Sequence, residues 1–103
     1  MPEPVIVKIF FTAACRRCEP IFDRMREIRQ RLGNRIDPRF FDIEEPAAHH
    51  IATRYSVRRL PTIVMFDEIF FVGIPDIDDA IRLFNYLYEH GGPNHDYMKE
   101  LGL

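Results

Sequence analysis

The sequence predicts an α/β fold: a four-stranded mixed sheet with the element order β-α-β-α-β-β-α and helices on both faces. Three observations lead to this prediction. Apolar runs rich in β-branched and aromatic residues alternate with stretches whose apolar residues recur every three to four positions. A strand, a helix and a strand at the start imply a parallel pair joined by a right-handed crossover. Two later runs separated by a short turn imply an antiparallel hairpin.

The first strand is predicted over Val5–Phe11, a nearly continuous apolar run typical of a central strand covered on both faces. The period then changes to that of a helix. One face of this helix carries the apolar residues Ile21, Met25, Ile28 and Leu32. Gly33 and Asn34 tolerate the left-handed conformation that ends helices, so we expect the helix to end there.

The start of this helix is ambiguous. Pro20 lacks a backbone N–H and fits the first helical turn, which favours a start near Cys18 or Glu19. A start at Cys15 would place the proline where it removes a hydrogen bond to the carbonyl of Arg16. The sequence leaves both starts open.

The later elements follow from the same periodicities and from glycine and proline breaks. In chain order we predict a strand at 39–43, a helix opening at 44–46, a strand at 62–66, a turn at 67–68, a strand at 69–72 ended by Gly73, a helix opening at 75–76 and stopped at 91–93, and a tail at 94–103 with one further turn around 97–99.

Length and composition predict a single domain over residues 1–103, with a core at about 4–90 and a short tail at 91–103. The chain is 47% hydrophobic and 29% charged, which is typical of a globular protein. Apolar runs are too short for a membrane helix, and the start lacks the features of a signal peptide, so we expect a cytoplasmic protein.

Residues 1–66 hold 12 Lys and Arg against 8 Asp and Glu, whereas residues 67–103 hold 2 against 8. The first part of the chain should therefore form a basic face.

Cys15 and Cys18 are the two cysteines of the chain, and they lie between the first strand and the first helix. In a reducing compartment such a pair is more often catalytic or metal-binding than structural. Near a helix N-terminus and beside cations, the pKa of a cysteine falls from about 8.5 to about 3.5–7.5. We therefore expect Cys15, next to Arg16 and Arg17, to be the attacking thiolate and Cys18 to be the resolving thiol.

Three features give this chain a resemblance to the thioredoxin/glutaredoxin superfamily over roughly residues 4–90. The Cys15-Arg16-Arg17-Cys18 segment lies where that family carries its CxxC motif. Residues 55–66, Tyr-Ser-Val-Arg-Arg-Leu-Pro-Thr-Ile-Val-Met-Phe, are similar to the thioredoxin stretch Y-G-I-R-G-I-P-T-L-L-L-F. Gly73 follows the fourth strand, where the family has a glycine beside the substrate groove. The resemblance implies a thioredoxin fold in which Pro61 is cis and faces the dithiol.

The sequence also departs from the family pattern. Ala14 stands where thioredoxins usually have Trp, and Ile9 stands where they bury an acidic residue behind the dithiol. Arg16 and Arg17 replace the usual Gly-Pro, and Arg59 replaces a glycine. The absence of an additional N-terminal strand is glutaredoxin-like, whereas the Leu-Pro-Thr order is thioredoxin-like. We therefore expect a short thioredoxin-like protein with altered electrostatics at its dithiol.

The resemblance implies a thiol–disulfide oxidoreductase that acts on disulfide-containing protein substrates, with a reductase or glutathione as the electron donor. We expect a monomer with no cofactor beyond the redox-active disulfide of Cys15 and Cys18, and no nucleic-acid, membrane or metal partner. The substrate-supporting residues should be Arg16, Arg17, Arg59, Leu60, Pro61 and Gly73. Two alternatives remain open, a glutathione-dependent glutaredoxin-like enzyme and an interaction module whose cysteines only sense redox state.

Arg58 and Arg59 precede the proline loop, and with the two arginines between the cysteines they should form a basic rim that attracts acidic proteins or glutathione. The competing interpretation is that these arginines pair with nearby acids such as Glu19 or Glu44. Zinc binding by the cysteines with His49 and His50 is disfavoured, because adjacent histidines on a helix point in different directions.

Overall fold

The computed structural model describes residues 2–103. Its strands are β1 (Val5–Phe11), β2 (Ile36–Asp42), β3 (Thr62–Met65) and β4 (Glu68–Val72), and its helices are α1 (Pro20–Leu32), α2 (Pro46–Arg54), α3 (Ile77–His90) and α4 (His95–Glu100). Short 3₁₀ turns lie at Arg16–Cys18 and Gly33–Arg35. The predicted α/β class and the order of its first seven strands and helices are confirmed.

The four strands form one mixed sheet in the order β2-β1-β3-β4. β1 and β2 are parallel, and Phe11 pairs with Asp42 at their carboxyl ends. β3 runs antiparallel to β1, so Thr62 at the start of β3 lies opposite Phe10. The ends of β1 and β2 and the beginning of β3 therefore meet at one edge of the sheet, which we call the dithiol end because the cysteine loop follows β1.

Alternation along β1 divides the core between the two faces of the sheet. Val7 and Ile9 are fully buried on one face, in the larger cluster formed with α1 and α3. Phe10 is fully buried on the other face, where it packs with Ala52 of α2 and with β3. Ile6 lies on this second face but is 42% exposed, because α2 has nine residues and leaves part of the sheet uncovered. The prediction that β1 is covered on both faces holds only at its dithiol end.

β2 begins at Ile36, three residues before the predicted start at 39, and Pro38 lies inside it. Proline normally argues against a strand because it cannot donate to the hydrogen-bond ladder. β2 is an edge strand with one neighbour, however, so a missing donor on its open side costs no ladder bond.

The hairpin turn lies one residue earlier than predicted, at Phe66 and Asp67. Both residues have positive φ, 51° and 60°, and they connect the paired residues Met65 and Glu68. Two-residue hairpins favour this left-handed geometry because it matches the twist of the strands. Phe66 therefore belongs to the turn and not to β3.

The last helix and the tail follow from clear local signals. Asp76 is the N-cap of α3 and accepts a hydrogen bond from the backbone N–H of Asp79 at 3.2 Å. Gly91, in the left-handed conformation, ends the helix. The turn predicted in the tail is the helix α4, whose Met98 is 5% exposed in the larger core cluster. The tail is therefore packed against the core. No helix within residues 2–103 has the length and apolar character needed to cross a membrane.

Candidate functional site

Cys15 and Cys18 form a disulfide in the loop between β1 and α1, with their Cα atoms 5.3 Å apart. The backbone N–H of Cys15 donates to the carbonyl of Thr12, and that of Cys18 donates to the carbonyl of Cys15, both at 3.1 Å. The two sulfur-bearing residues differ in exposure, because Cys15 is half-buried and Cys18 is only 1% exposed. A partner molecule can therefore reach Cys15 more easily than Cys18.

The structure settles the start of the first helix. The α-helix begins at Pro20, and a 3₁₀ turn over Arg16–Cys18 connects it to Cys15. Pro20 occupies the first helical turn, where its missing N–H removes no helical hydrogen bond. Cys15 precedes the 3₁₀ turn and not the α-helix itself, so the helix dipole helps its thiolate less than a start at Cys15 would.

The loop before β3 comes back against the disulfide. The Leu60–Pro61 peptide bond is cis, as the resemblance implied, and the Leu60 carbonyl oxygen lies 4.0 Å from Cys15 Sγ. Pro61 is buried, and its carbonyl accepts a 2.7 Å hydrogen bond from the N–H of Gly73. Leu60, Pro61 and Gly73 all lie far from Cys15 in sequence. Gly73 is hydrogen-bonded to Pro61, and Leu60 lies next to Cys15.

Four arginines flank this site in the sequence: Arg16, Arg17, Arg58 and Arg59, which we call the dithiol arginines. All four side chains are exposed, and within residues 2–103 none of them forms a salt bridge. The competing interpretation, in which they pair with Glu19 or Glu44, does not match the structure. Their guanidinium groups remain available to a partner.

Sequence reasoning missed a hydrogen bond that holds the cysteine loop. Thr12 Oγ1 donates to Glu44 Oε1 at 2.8 Å, and nearby the N–H of Ile43 donates to the carbonyl of Phe11 at 2.9 Å. A signal for this contact was present, because the carboxyl ends of parallel strands meet at the same edge of a sheet. Thr12 directly follows β1, and Glu44 lies two residues after the end of β2. Glu44 is therefore engaged with the loop and not with a dithiol arginine.

Sequence reasoning also missed Thr62, a buried polar residue at the start of β3. Its Oγ1 donates to the carbonyl of Arg59 at 2.5 Å and closes the turn that carries Leu60 and Pro61. The hydroxyl thereby holds the backbone of the proline loop in place beside the disulfide.

Two residues of β1, Ile9 and Lys8, lie in the core and in a hydrogen-bonded chain, respectively. Ile9 is fully buried in the core, at the position where thioredoxins bury an acidic side chain. This protein therefore has no ionisable group at that position. Lys8 Nζ donates to Tyr55 Oη at 2.9 Å, and Tyr55 Oη donates to Asp67 Oδ1 at 2.7 Å. Asp67 lies in the β3–β4 turn, at the end of the sheet opposite the dithiol. Lys8 therefore belongs to a structural network at that end.

The described residues form no metal-binding cluster. His49 and His50 are exposed on α2. Within residues 2–103, the structure contains no group of three or more His, Cys, Asp or Glu side chains placed to hold a metal ion.

Comparison with solved structures places this geometry among thioredoxins. Thioredoxin-2 of a malaria parasite, described as a component of the parasite's protein secretion machinery, shares 26% identity over 84% of this chain and 85% of its own, with a TM-score of 0.71. A mutant thioredoxin from Halobacterium salinarum shares 22% identity over 84% and 76% of the two chains, with a TM-score of 0.69. Thioredoxin O2 from Arabidopsis thaliana in its oxidized state shares 21% identity over 84% and 76%, with a TM-score of 0.67.

No protein-family model matches this sequence, and a comparison with curated proteins finds no match. The fold, together with a CxxC-type cysteine pair in bonding contact, supports thiol–disulfide oxidoreductase chemistry in general terms. The resemblance to thioredoxins noted in the sequence is confirmed by the solved structures. The chain therefore has the thioredoxin fold and is similar to thioredoxins, with Cys15 and Cys18 at the CxxC position.

Proposed function

We propose that this protein exchanges a dithiol for a disulfide with protein substrates, and that Cys15 is the attacking residue. The observation that carries the proposal is the unequal exposure of the bonded pair. Cys15 is half-buried at the surface, whereas Cys18 is 1% exposed beneath it. Thiol–disulfide exchange needs one sulfur that a substrate can reach and a second that attacks only after the first has reacted.

The reaction proceeds in two exchanges when the protein is reduced. The Cys15 thiolate attacks one sulfur of the substrate disulfide, which breaks the substrate S–S bond and releases one substrate thiolate that takes up a proton. The mixed disulfide is then attacked at Cys15 Sγ by the Cys18 thiolate, which releases the second substrate thiol. The substrate gains two electrons and two protons, and the protein keeps the Cys15–Cys18 disulfide. A reductase or glutathione then returns two electrons to this disulfide.

The surrounding residues support binding of an extended substrate segment. The backbone at Leu60 lies beside Cys15, so an incoming strand can pair with it by β-addition. Gly73, hydrogen-bonded to Pro61, has no side chain to obstruct that segment. Arg16 and Arg17 lie between the two cysteines, Arg59 precedes Leu60, and all three are exposed, which supports attraction of an acidic substrate. No cofactor beyond the redox-active disulfide is needed for this reaction.

Reduction of a protein disulfide, such as that of insulin, tests the proposal. Wild-type protein should reduce it with thioredoxin reductase and NADPH, or with glutathione, and the donor that works separates the thioredoxin-like from the glutaredoxin-like alternative. Cys15→Ser should abolish the reaction. Cys18→Ser should accumulate a mixed disulfide to Cys15, and mass spectrometry of the trapped species identifies the substrate. Wild-type activity that Cys15→Ser leaves unchanged would point instead to an interaction module.

A further inference from the structure

A small pocket adjoins the proline loop on the α2 side of the dithiol. Its volume is about 120 Å³. Cofactor and drug-sized ligands occupy pockets of about 300–1,000 Å³, so this one has the size for a single side chain. Leu60 lines the pocket, and the carbonyl oxygen of the same residue lies 4.0 Å from Cys15 Sγ. We call this cavity the Leu60 pocket.

The Leu60 pocket is apolar at its base. Ala52 is 5% exposed in the smaller core cluster, and Ile43, Val57 and Leu60 are half-buried against that cluster. Such a surface favours the methylene groups of a side chain, because covering them removes apolar area from water.

The rim of the Leu60 pocket is polar and positively charged. Arg58 is exposed there and forms no salt bridge with any described residue, and His49 lies at the same rim. The Thr53 hydroxyl already donates to the His49 carbonyl at 3.0 Å. No carboxylate is among the described residues that line the pocket. The pocket therefore combines an apolar base with an uncompensated guanidinium at its mouth.

We propose that the Leu60 pocket is a specificity site for a glutamate side chain, located within two residues of the cysteine that Cys15 attacks in a substrate. A glutamate fits both parts, because its methylenes cover the apolar base and its carboxylate reaches the Arg58 guanidinium. A segment paired with the Leu60 backbone advances about 3.3 Å per residue, which brings neighbouring side chains over the pocket. This inference rests on the proposed function and adds the class of substrate.

Matched cystine peptides test the proposal. Each peptide carries one glutamate at one of the four positions within two residues of its cysteine, and partner peptides carry glutamine or lysine at the same position. Second-order rate constants for reduction by the reduced protein should follow Glu > Gln > Lys at one position at least. Glutamate should gain about threefold to fivefold over glutamine at low ionic strength, the size of one partly exposed ion pair. The gain should shrink as salt is added.

Two variants assign the effect to the pocket. Arg58→Gln should bring the glutamate peptide close to the rate of the glutamine peptide, and Arg58→Lys should retain part of the preference. Arg29→Gln is the matched control, since Arg29 is exposed on α1 and forms no salt bridge within residues 2–103. That variant should keep the full preference.

The outcomes separate this inference from the proposed function. Equal rates for the three peptides at every position would contradict the proposed glutamate site, and so would a glutamate preference that survives Arg58→Gln. Neither result would contradict the proposed oxidoreductase function. Failure of the fully reduced protein to reduce any peptide would overturn both.

Discussion

The two ends of the sheet differ in whether their charged side chains are paired. At the dithiol end, the four dithiol arginines are exposed and have no carboxylate partner within residues 2–103. At the opposite end, Lys8, Tyr55 and Asp67 form a continuous hydrogen-bonded chain, and His95 lies 2.8 Å from Glu68. Charges that satisfy one another stabilise the fold, whereas charges left unpaired beside a reactive disulfide are available to a substrate. The two ends should therefore respond differently to mutation.

The largest effect is expected at the dithiol itself. Cys15→Ser should lower the rate of protein-disulfide reduction at least 100-fold, because the hydroxyl is not a nucleophile for disulfides at neutral pH. Its thermal unfolding should still be cooperative, since the loop also keeps the Thr12–Glu44 hydrogen bond. Insulin reduction followed by turbidity, together with calorimetry, measures both quantities. An active Cys15→Ser protein would remove the basis for treating this end as the functional one.

The opposite end should affect stability and not chemistry. Tyr55→Phe removes the hydroxyl that links Lys8 to Asp67, and it leaves a half-buried ammonium without its partner. The free energy of unfolding should fall by about 1–2 kcal/mol, the usual cost of such a loss. Urea denaturation measures this change, and the redox potential of the dithiol should stay the same.

Tyr97→Phe supplies the control for that substitution. Tyr97 is 45% exposed on α4, and its hydroxyl forms no hydrogen bond with any of residues 2–103. Its loss should change the unfolding free energy by less than about 0.5 kcal/mol. Equal effects of the two substitutions would show that the Lys8–Tyr55–Asp67 chain contributes nothing specific.

The contrast between the ends was only partly visible in the sequence. Periodicity predicted the strands and helices, because Val5–Phe11 and the α1 face repeat apolar residues at the spacings their elements require. The cysteine spacing and the Leu60–Pro61 motif located the reactive end. Both signals are local, so each can be read without knowing what packs against it.

The remaining features depend on tertiary neighbours. Whether Pro38 is tolerated in β2 depends on that strand being at an edge, which sheet order decides. The sequence does not indicate the phenol partner of Lys8, because Tyr55 lies 47 residues away. The sequence places Glu19 and Glu44 close to the dithiol arginines. It does not show whether these carboxylates already bind another side chain. Glu44 is taken by Thr12.

A smaller effect, on the reduction potential, is expected when the arginines between the cysteines are replaced. Arginine stays protonated and favours the Cys15 thiolate, which stabilises the reduced form and raises the reduction potential. Arg16→Gln/Arg17→Gln should therefore lower the potential, by about 10–30 mV, since both side chains are exposed and each contributes well under 1 kcal/mol. Equilibration against glutathione buffers measures the shift. An unchanged or higher potential would contradict the electrostatic account, and Arg29→Gln should leave the potential at the wild-type value.

The smallest effect is expected for an arginine of α1 that is already paired with a carboxylate at the surface. Arg26 on α1 lies 2.8 Å from Asp23, and both side chains are largely exposed, at 69% and 83%. Solvent screens such a pair, so Arg26→Gln should lower the unfolding free energy by at most about 0.5 kcal/mol and leave the redox potential unchanged. Urea denaturation at low and high salt measures the difference, which should vanish at high salt. If Arg26→Gln moved the redox potential as much as Arg16→Gln/Arg17→Gln, the potential would respond to total positive charge, and the position of the dithiol arginines beside Cys15 would have no special role.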